Sequence, residues 1–299
     1  MEPSGVLTVY KPMGVTSHDV VNKIRRLFGT RRVGHTGTLD PMATGVLVIL
    51  VGRAAKAAEY LSCDRKAYRA TLRLGITTDT EDVTGEILTR QEALPTESEV
   101  LSAAGGFVGD IKQIPPMYSA LKVGGKKLYE LARQGVTVPR EARDITVYSI
   151  DCKRISDSDY SLEVECSAGT YIRTLCADIG AALGCGGVMA SLERTAAGEF
   201  SCDMAHSLEE IEALAEEERP SLLLPTVSLF SSLPELRLSP FFERLSRNGC
   251  EIYQKKIHTS FEEGARLRLC GENGDFYALG EVAQYENGSA VKVIKLFDI

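Results

Sequence analysis

Six consecutive aliphatic residues, Val46–Val51, stand between two glycines in the run GVLVILVG. So short and uniformly apolar a segment reads as a strand covered on both faces, since a half-exposed strand would alternate. The chain must therefore build a sheet with material packed on either side of this strand. Its 299 residues suffice for one large domain, or one large plus one small. No apolar run approaches the ~20 residues of a membrane span. Immediately ahead lies RRVGHTGTLDPMATG, Arg31–Gly45, which carries two arginines, three glycines, His35 and a single acid, Asp40, in front of Pro41. Proline forces the residue before it toward extended or turn geometry, and glycines permit close backbone approach. Asp40 is therefore expected on a tight loop, with a basic entrance beside it and the buried strand behind. That is how a lone reactive carboxylate is displayed to an anionic substrate. The same pattern also serves as an ordinary turn.

With 44% hydrophobic and 25% charged residues, the composition is that of a soluble globular protein. The start, MEPSGVLTVYKP, lacks the basic and apolar regions of a signal peptide. Eight cysteines at 63, 152, 166, 176, 185, 202, 250 and 270 form no CxxC pair and have no histidine at zinc spacing. Reduced, mostly buried thiols in a cytoplasmic protein are expected. The net charge of −7 speaks against nucleic acid, but its distribution does not. Residues 1–75 hold 12 Lys/Arg against 5 Asp/Glu, whereas 76–110 hold one Arg against eight acids, and 201–222 one Arg against seven. A phosphate backbone responds to the local patch. The two acidic clusters read as solvated faces.

Along the chain, GVLTVY reads as a strand ending at Lys11-Pro12. Thr16 or Ser17 caps a helix running to about Phe28, with Val20, Val21, Ile24, Leu27 and Phe28 as its apolar stripe. Residues 53–61 read as a helix. KAYRATLRLGI alternates, so Tyr68, Ala70, Leu72 and Leu74 face inward. Tyr68 is then either a core tyrosine or part of a site. TTDTEDVTGE is an acidic loop, and Thr96 with Glu99 makes a capping box. Residues 114–135 mix Pro-Pro, Gly-Gly and basic residues before a short helix, as a mobile surface element does. Strands are expected over about 145–155 and 160–167.

In AGTYIRTLCADIG, Thr170 is the expected N-cap, and Ile172, Leu175, Cys176 and Ile179 form the buried stripe. Arg173 then falls in a first turn, where the helix dipole disfavours a cation. Either a carboxylate partner lies nearby or the arginine is a surface residue without a role. SLEEIEALAEEERP is an acidic helix, and the proline-rich stretch 224–240 is the domain boundary. Beyond it, a short helix from Pro240 and the pieces EIYQKKI, ARLRLC, FYALGEVAQY and AVKVIKLF suggest a small β-barrel.

GHTGTLDPMATGVL resembles the active-site signature of the pseudouridine synthases that modify the T loop of tRNA, the tRNA pseudouridine-55 synthase family. GVLTVYKPMGVTSHDVV, KAYRATLRLG with TTDTEDVTGE, IPPMYSALKVGGKKLYELARQG and AGTYIRTLCADIG resemble further blocks of that family, in family order, over most of residues 5–200. The C-terminal piece is similar, more diffusely, to a PUA-type RNA-binding module. The resemblance implies an α+β fold: a mixed, largely antiparallel sheet flanked by helices over residues 1–232, with a mobile element at about 114–144. A small PUA-like barrel would follow over 236–299.

The resemblance further implies cofactor-free isomerisation of a uridine, position 55, in the T stem-loop of tRNA, by a monomer that needs no protein partner and no membrane. Asp40 would be the essential carboxylate, kept ionised by Arg173. Tyr68 would lie against the flipped base, where stacking contributes ~1–3 kcal/mol. His35 would hold the flipped nucleotide or fill its place, although a loop histidine bonded to backbone fits too. Lys11, Lys56 and Tyr171 would line the site, and Leu192 would be an apolar wall for the uracil. Extruding a base costs a few kcal/mol. Phosphate contacts from Lys23, Arg25, Arg26, Arg31, Arg32, Lys122, Lys126 and Lys127 would offset this.

Two positions depart from the family pattern: Tyr10, where an acid is commoner, and Glu193, where a basic residue is usual and whose change would remove a phosphate contact. Competing readings are a catalytically silent tRNA-folding chaperone and a related synthase acting at another RNA site. A P-loop enzyme is excluded, because no Lys-Ser/Thr follows the glycines.

Overall fold

A computed structural model describes residues 2–61 and 65–297. Cys63 lies outside these residues. The sheet demanded by the apolar run is the centre of the molecule. Thr44–Val51 lies between Gly5–Lys11 and Gly187–Ala197, and the order continues Arg65–Leu74, Asp159–Ser167, Arg143–Arg154, Gly109–Gln113. Two short strands, Val33–His35 and Phe200–Ser201, bring the count to nine. All pairings are antiparallel except that of Gly187–Ala197 with Thr44–Val51. The mixed, largely antiparallel sheet is thus as expected.

Both faces of the apolar strand are covered. Leu47, Ile49 and Val51 join the main core with Val20, Val21 and Ile24 of the helix Ser17–Leu27. Val46, Val48 and Leu50 meet Val6, Phe200, Leu224 and Leu229 on the other side. Every residue from Val46 to Val51 is fully buried. Thr16, not Ser17, caps the helix, in a reciprocal box with Asp19. Thr96 and Glu99 make the expected box for Glu97–Gly105.

Three local expectations need correction. The helix over 53–61 is a 3-10 segment, Gly52–Ala57. Thr170 does not cap the helix Ile172–Ala182; Tyr171 occupies that position without a side-chain cap. The Tyr171 N–H is taken instead by the Gln113 side-chain oxygen at 2.8 Å. The acidic helix shrinks to Leu208–Ala213, where only Ile211 is buried, followed by a 3-10 turn at Arg219–Leu222. Glu216, Glu217 and Glu218 offer no apolar stripe and repel one another, so nothing propagates the helix.

Residues 114–144 form a surface hairpin, Lys122–Val123 with Lys126–Lys127, and the helix Leu128–Ala132. Leu128 and Ser119 anchor it in the interior. Beyond the proline-rich stretch, a five-stranded sheet runs in the order Glu235–Arg237, Arg266–Cys270, Phe276–Tyr285, Gly288–Leu296, Ile252–Tyr253. In EIYQKKI only Ile252–Tyr253 is a strand, and Gln254–Lys256 is a 3-10 turn. Among the described residues no pairing joins the first of these strands to the last. The sheet docks on the larger unit through Phe230, Phe276 and Phe297, whose ring centroids lie 5.4–5.9 Å apart, and through Ala57 and Leu279. Seven cysteines are free, and Cys166, Cys176, Cys185 and Cys270 are buried.

Candidate active site

The Asp40 loop is held from three directions. Ser17, buried on the first helix, accepts the Leu39 N–H at 2.8 Å and donates to the Leu39 carbonyl at 3.0 Å. Lys11, with no exposed surface, donates to the carbonyls of Pro12, Val15 and Pro41 at 2.8, 2.9 and 3.4 Å. Its ammonium is pushed down to about 8 by burial, against the opposing pull of Asp40. The third hold is Arg194, 1% exposed, whose guanidinium donates to the carbonyls of Gly37, Thr38 and Val46. Gly45, at φ +100°, has no room for a Cβ against the Arg194 backbone. The loop's last glycine is therefore required by close packing.

Asp40 opens into a cleft of about 1050 Å³ lined also by His35, Tyr68, Tyr171, Arg173, Leu192 and Lys127. The Arg173 Nε lies 3.0 Å from its Oδ2, and 37% of the Asp40 side chain remains accessible on the cleft side. Burial nevertheless pushes the Asp40 carboxyl above its ordinary value; Arg173 and Lys11 pull it down, and Asp82 pushes it further up. Of the two alternatives left open for this arginine, a nearby carboxylate and a surface position without a role, the first is the one found. Arg173 has a second carboxylate in Asp82, 3.7 Å from Nη1. Nη1 also donates to the Thr80 carbonyl at 3.2 Å and Nη2 to that of Tyr118 at 2.8 Å.

The acidic loop that supplies Asp82 is not a solvated face. Asp82 is 5% exposed and accepts from the hydroxyls of Thr80 and Thr84. Its neighbour Glu81, in the left-handed region at φ +64°, accepts the Thr174 hydroxyl at 2.6 Å, and burial raises its carboxyl. Strain of this kind costs about 1–3 kcal/mol and is stored where surrounding contacts impose it. Tyr68, 8% exposed, lines the cleft from its strand; burial raises its phenol while Arg194 pulls it down. His35 is held toward its neutral form by burial and by Arg194. Gln113 fixes the Tyr171 peptide from both sides, receiving its N–H and donating to its carbonyl at 3.0 Å.

The structure therefore brings together Asp40, Arg173, Tyr68, His35, Tyr171 and Leu192. Lys11 stands beneath the loop rather than in the cleft lining, because carbonyls consume its three donors. Lys56 is exposed on the 3-10 segment and outside the cleft lining. Lys23 is paired with Glu212 at 2.6 Å. Arg25 is folded onto Asn22 and the Val33 carbonyl, and Arg32 pairs with Glu2 at 3.3 Å. Of the three, Lys23 alone meets the acidic segment, whereas Arg25 and Arg32 have partners within residues 2–33. Arg26, Arg31, Lys122 and Lys126 are exposed, and Lys127 reaches the cleft.

The two departures from the family pattern meet. The Tyr10 hydroxyl donates to Glu193 at 2.8 Å, and Arg69 bonds its other oxygen at 3.0 Å. Glu193 stands outside the cleft lining, so its acidity removes no contact there.

Sequence reasoning missed Ser17's hold on Leu39, Asp82, Gln113 and Arg194. Only Arg194 left a signal, since alternation places it on the inward face with Leu192.

Comparison with known proteins adds a family to this geometry. The model of the "TruB family pseudouridylate synthase (N terminal domain)" matches residues 25–172, and that of the "tRNA pseudouridylate synthase B C-terminal domain" matches 173–231. The tRNA pseudouridine synthase B of Alkaliphilus oremlandii is 43% identical over 295 residues, covering 98% of each chain. That of Syntrophotalea carbinolica is 44% identical over 276 residues, covering 91% of this chain and 90% of its own. A solved Cbf5-Nop10-Gar1 complex contains a chain that superposes with a TM-score of 0.72 at 25% identity, over 98% of this chain and 84% of that one. A chain of an H/ACA RNP bound to a substrate RNA superposes at 0.75 with 24% identity, over 99% and 85%, which shows a shared fold.

Proposed function

The chain belongs to the TruB family of pseudouridylate synthases, and from that premise we propose that Asp40 carries its isomerisation of uridine 55 in the T loop of tRNA. The observation that supports this reading is the Asp40–Arg173 pair at 3.0 Å in a cleft it shares with Tyr68 and Leu192.

The N1–C1′ bond breaks, the uracil turns while held, and C5 bonds to C1′. A proton leaves C5 and one arrives at N1, so no atom is gained or lost. Asp40 supplies the anionic oxygen, and Arg173 keeps it charged against the burial that would neutralise it. Tyr68 offers its ring to the base, Leu192 walls the detached uracil, His35 holds the flipped nucleotide or fills its place, and Tyr171 lines the site. The exposed cations Arg26, Arg31, Lys122 and Lys126, with Lys127 at the cleft, contact phosphates and fix register rather than sequence.

Residues 1–232 are the catalytic unit, and 114–144 are a mobile element within it. The C-terminal sheet, 236–299, is the PUA-like RNA-binding part. The enzyme works as a cytoplasmic monomer without a protein partner.

The purified protein alone should release tritium from C5-labelled uridine in a T stem-loop, and should release none when that uridine is replaced by cytidine. Tight binding without release would support the chaperone reading instead. A finer outcome concerns acid. Asp82 raises the Asp40 carboxyl, so Asp82→Asn should move the acid limb of the kcat profile to lower pH. An unmoved or rising limb would remove Asp82 from the electrostatics of the site.

A further inference from the structure

Among the described residues Arg194 is a buried cation with no carboxylate partner. Its guanidinium donates to the carbonyls of Val46 at 2.7 Å, Gly37 at 3.1 Å and Thr38 at 3.4 Å, and its charge acts on the Tyr68 phenol. Taking a charge out of water is costly, and here backbone carbonyls rather than a carboxylate compensate it. The expense needs a reason beyond packing.

The geometry supplies one. Two of the three carbonyls precede Asp40 and the third follows it, so the fork spans the loop on both sides. The Arg194 backbone pairs with Gly45 in parallel on one side and with Tyr68 antiparallel on the other. A register shift follows at Arg194/Ala196, and bulges of this kind re-aim a side chain at a strand's edge. The residue therefore sits on the one strand that separates the Asp40 loop from the Tyr68 strand and bonds to both.

We infer that Arg194 is a positioning residue for the isomerisation: it ties the Asp40 loop to the Tyr68 strand, so that carboxylate and phenol hold one mutual geometry while the base turns between them. The inference rests on the isomerase reading above. A lysine here keeps the charge but reaches fewer of the carbonyls, because only guanidinium presents a rigid fork of donors. The same guanidinium draws the Tyr68 phenol toward its ionised form against burial. That gives a readout which a merely structural residue would not move.

The test compares Arg194→Lys and Arg194→Met with the parent, and Tyr68→Phe in each background, for kcat, KM on a T stem-loop, thermal unfolding and tyrosinate absorbance. The protein has no Trp, so phenolate absorbance is unobscured. Arg194→Lys should fold, keep KM and lose kcat about tenfold, and Arg194→Met about a hundredfold, the scale of a misplaced reacting group. The Tyr68 contribution, isolated by subtracting the Phe variant, should titrate at higher pH in Arg194→Met and near the parent's in Arg194→Lys. Arg194→Lys at parental kcat overturns the inference. So does a folded Arg194→Met with unmoved Tyr68 titration. If the Met variant does not fold, the Lys variant decides. Asp40→Asn, run alongside, separates the two layers: an active Asn variant sinks the isomerase reading itself, whereas an inactive one beside a fully active Arg194→Lys removes only the tether.

Discussion

Asp40→Asn should release no tritium from C5-labelled T stem-loop RNA, with kcat reduced by about 10⁴-fold or more, roughly 5.5 kcal/mol at 1.36 per factor of ten. Asparagine matches the carboxylate in size, so RNA affinity should stay within a few-fold while the anionic oxygen alone is lost. The stability effect should run opposite to the activity effect. Burial raises the Asp40 carboxyl above its ordinary 3.8, so the folded chain binds this proton more tightly than the unfolded one does. Stability from this group therefore falls as pH rises from 3.8 through the raised folded value. At neutral pH the ionised carboxylate is a burden that Asn relieves, and the Asn variant should melt at or above the parental Tm. Tritium release near the parental rate would falsify the assignment. A lower Tm would instead show that the carboxylate holds the loop together.

Arg173→Met should have the next largest effect, on both rate and stability. The guanidinium is 6% exposed and touches Asp40, Asp82 and the carbonyls of Thr80 and Tyr118. Breaking a buried pair from one side costs about 3–5 kcal/mol, and the lower end applies here because Asp40 opens to the cleft. Asp40 would also lose its strongest opposing charge, so its carboxyl should rise further and the acid limb of kcat should move to higher pH. At neutral pH the combined loss of charge and placement should reduce kcat by about 10²-fold or more. Arg173→Lys should return part of the pH shift but not the bridge to Tyr118. A Met variant with parental Tm and an unmoved acid limb would show that Arg173 neither supports nor charges Asp40.

What the sequence revealed divides by the range of the forces involved. Where a residue's fate is set by its neighbours in the chain, reading was reliable. The apolar run became a doubly covered strand, alternation turned Tyr68 inward, and the box at Thr96 and Glu99 formed as expected. The Asp40–Arg173 contact spans distant segments; a cation at a helix start left a partner and a surface position equally open, and the family resemblance pointed to Asp40. Apart from the acidic helix, cut short by its own glutamates, the failures below share a non-local cause. Asp82 looked solvated within an acidic stretch, and only the fold reveals that Arg173 reaches it. Lys11 looked like a site lining until the carbonyls around it were known. Thr170 is not the cap: the helix starts one residue later, behind Tyr171, whose peptide Gln113 holds from another strand. Lys23 was read as free because its acidic neighbour, Glu212, lies far along the chain.

The aromatic seam between the two sheets bears on how the molecule can be cut. Phe230 belongs to the larger unit, whereas Phe276 and Phe297 belong to the smaller, and Phe230 and Phe297 are nearly solvent-free. A fragment ending before residue 235 would carry a naked phenyl ring and the apolar flank of Ala57 and Tyr60 into water. The appended sheet is thus a stopper as well as an appendage. The natural cut point in the proline-rich stretch yields a sticky truncation product unless those surfaces are redesigned with it.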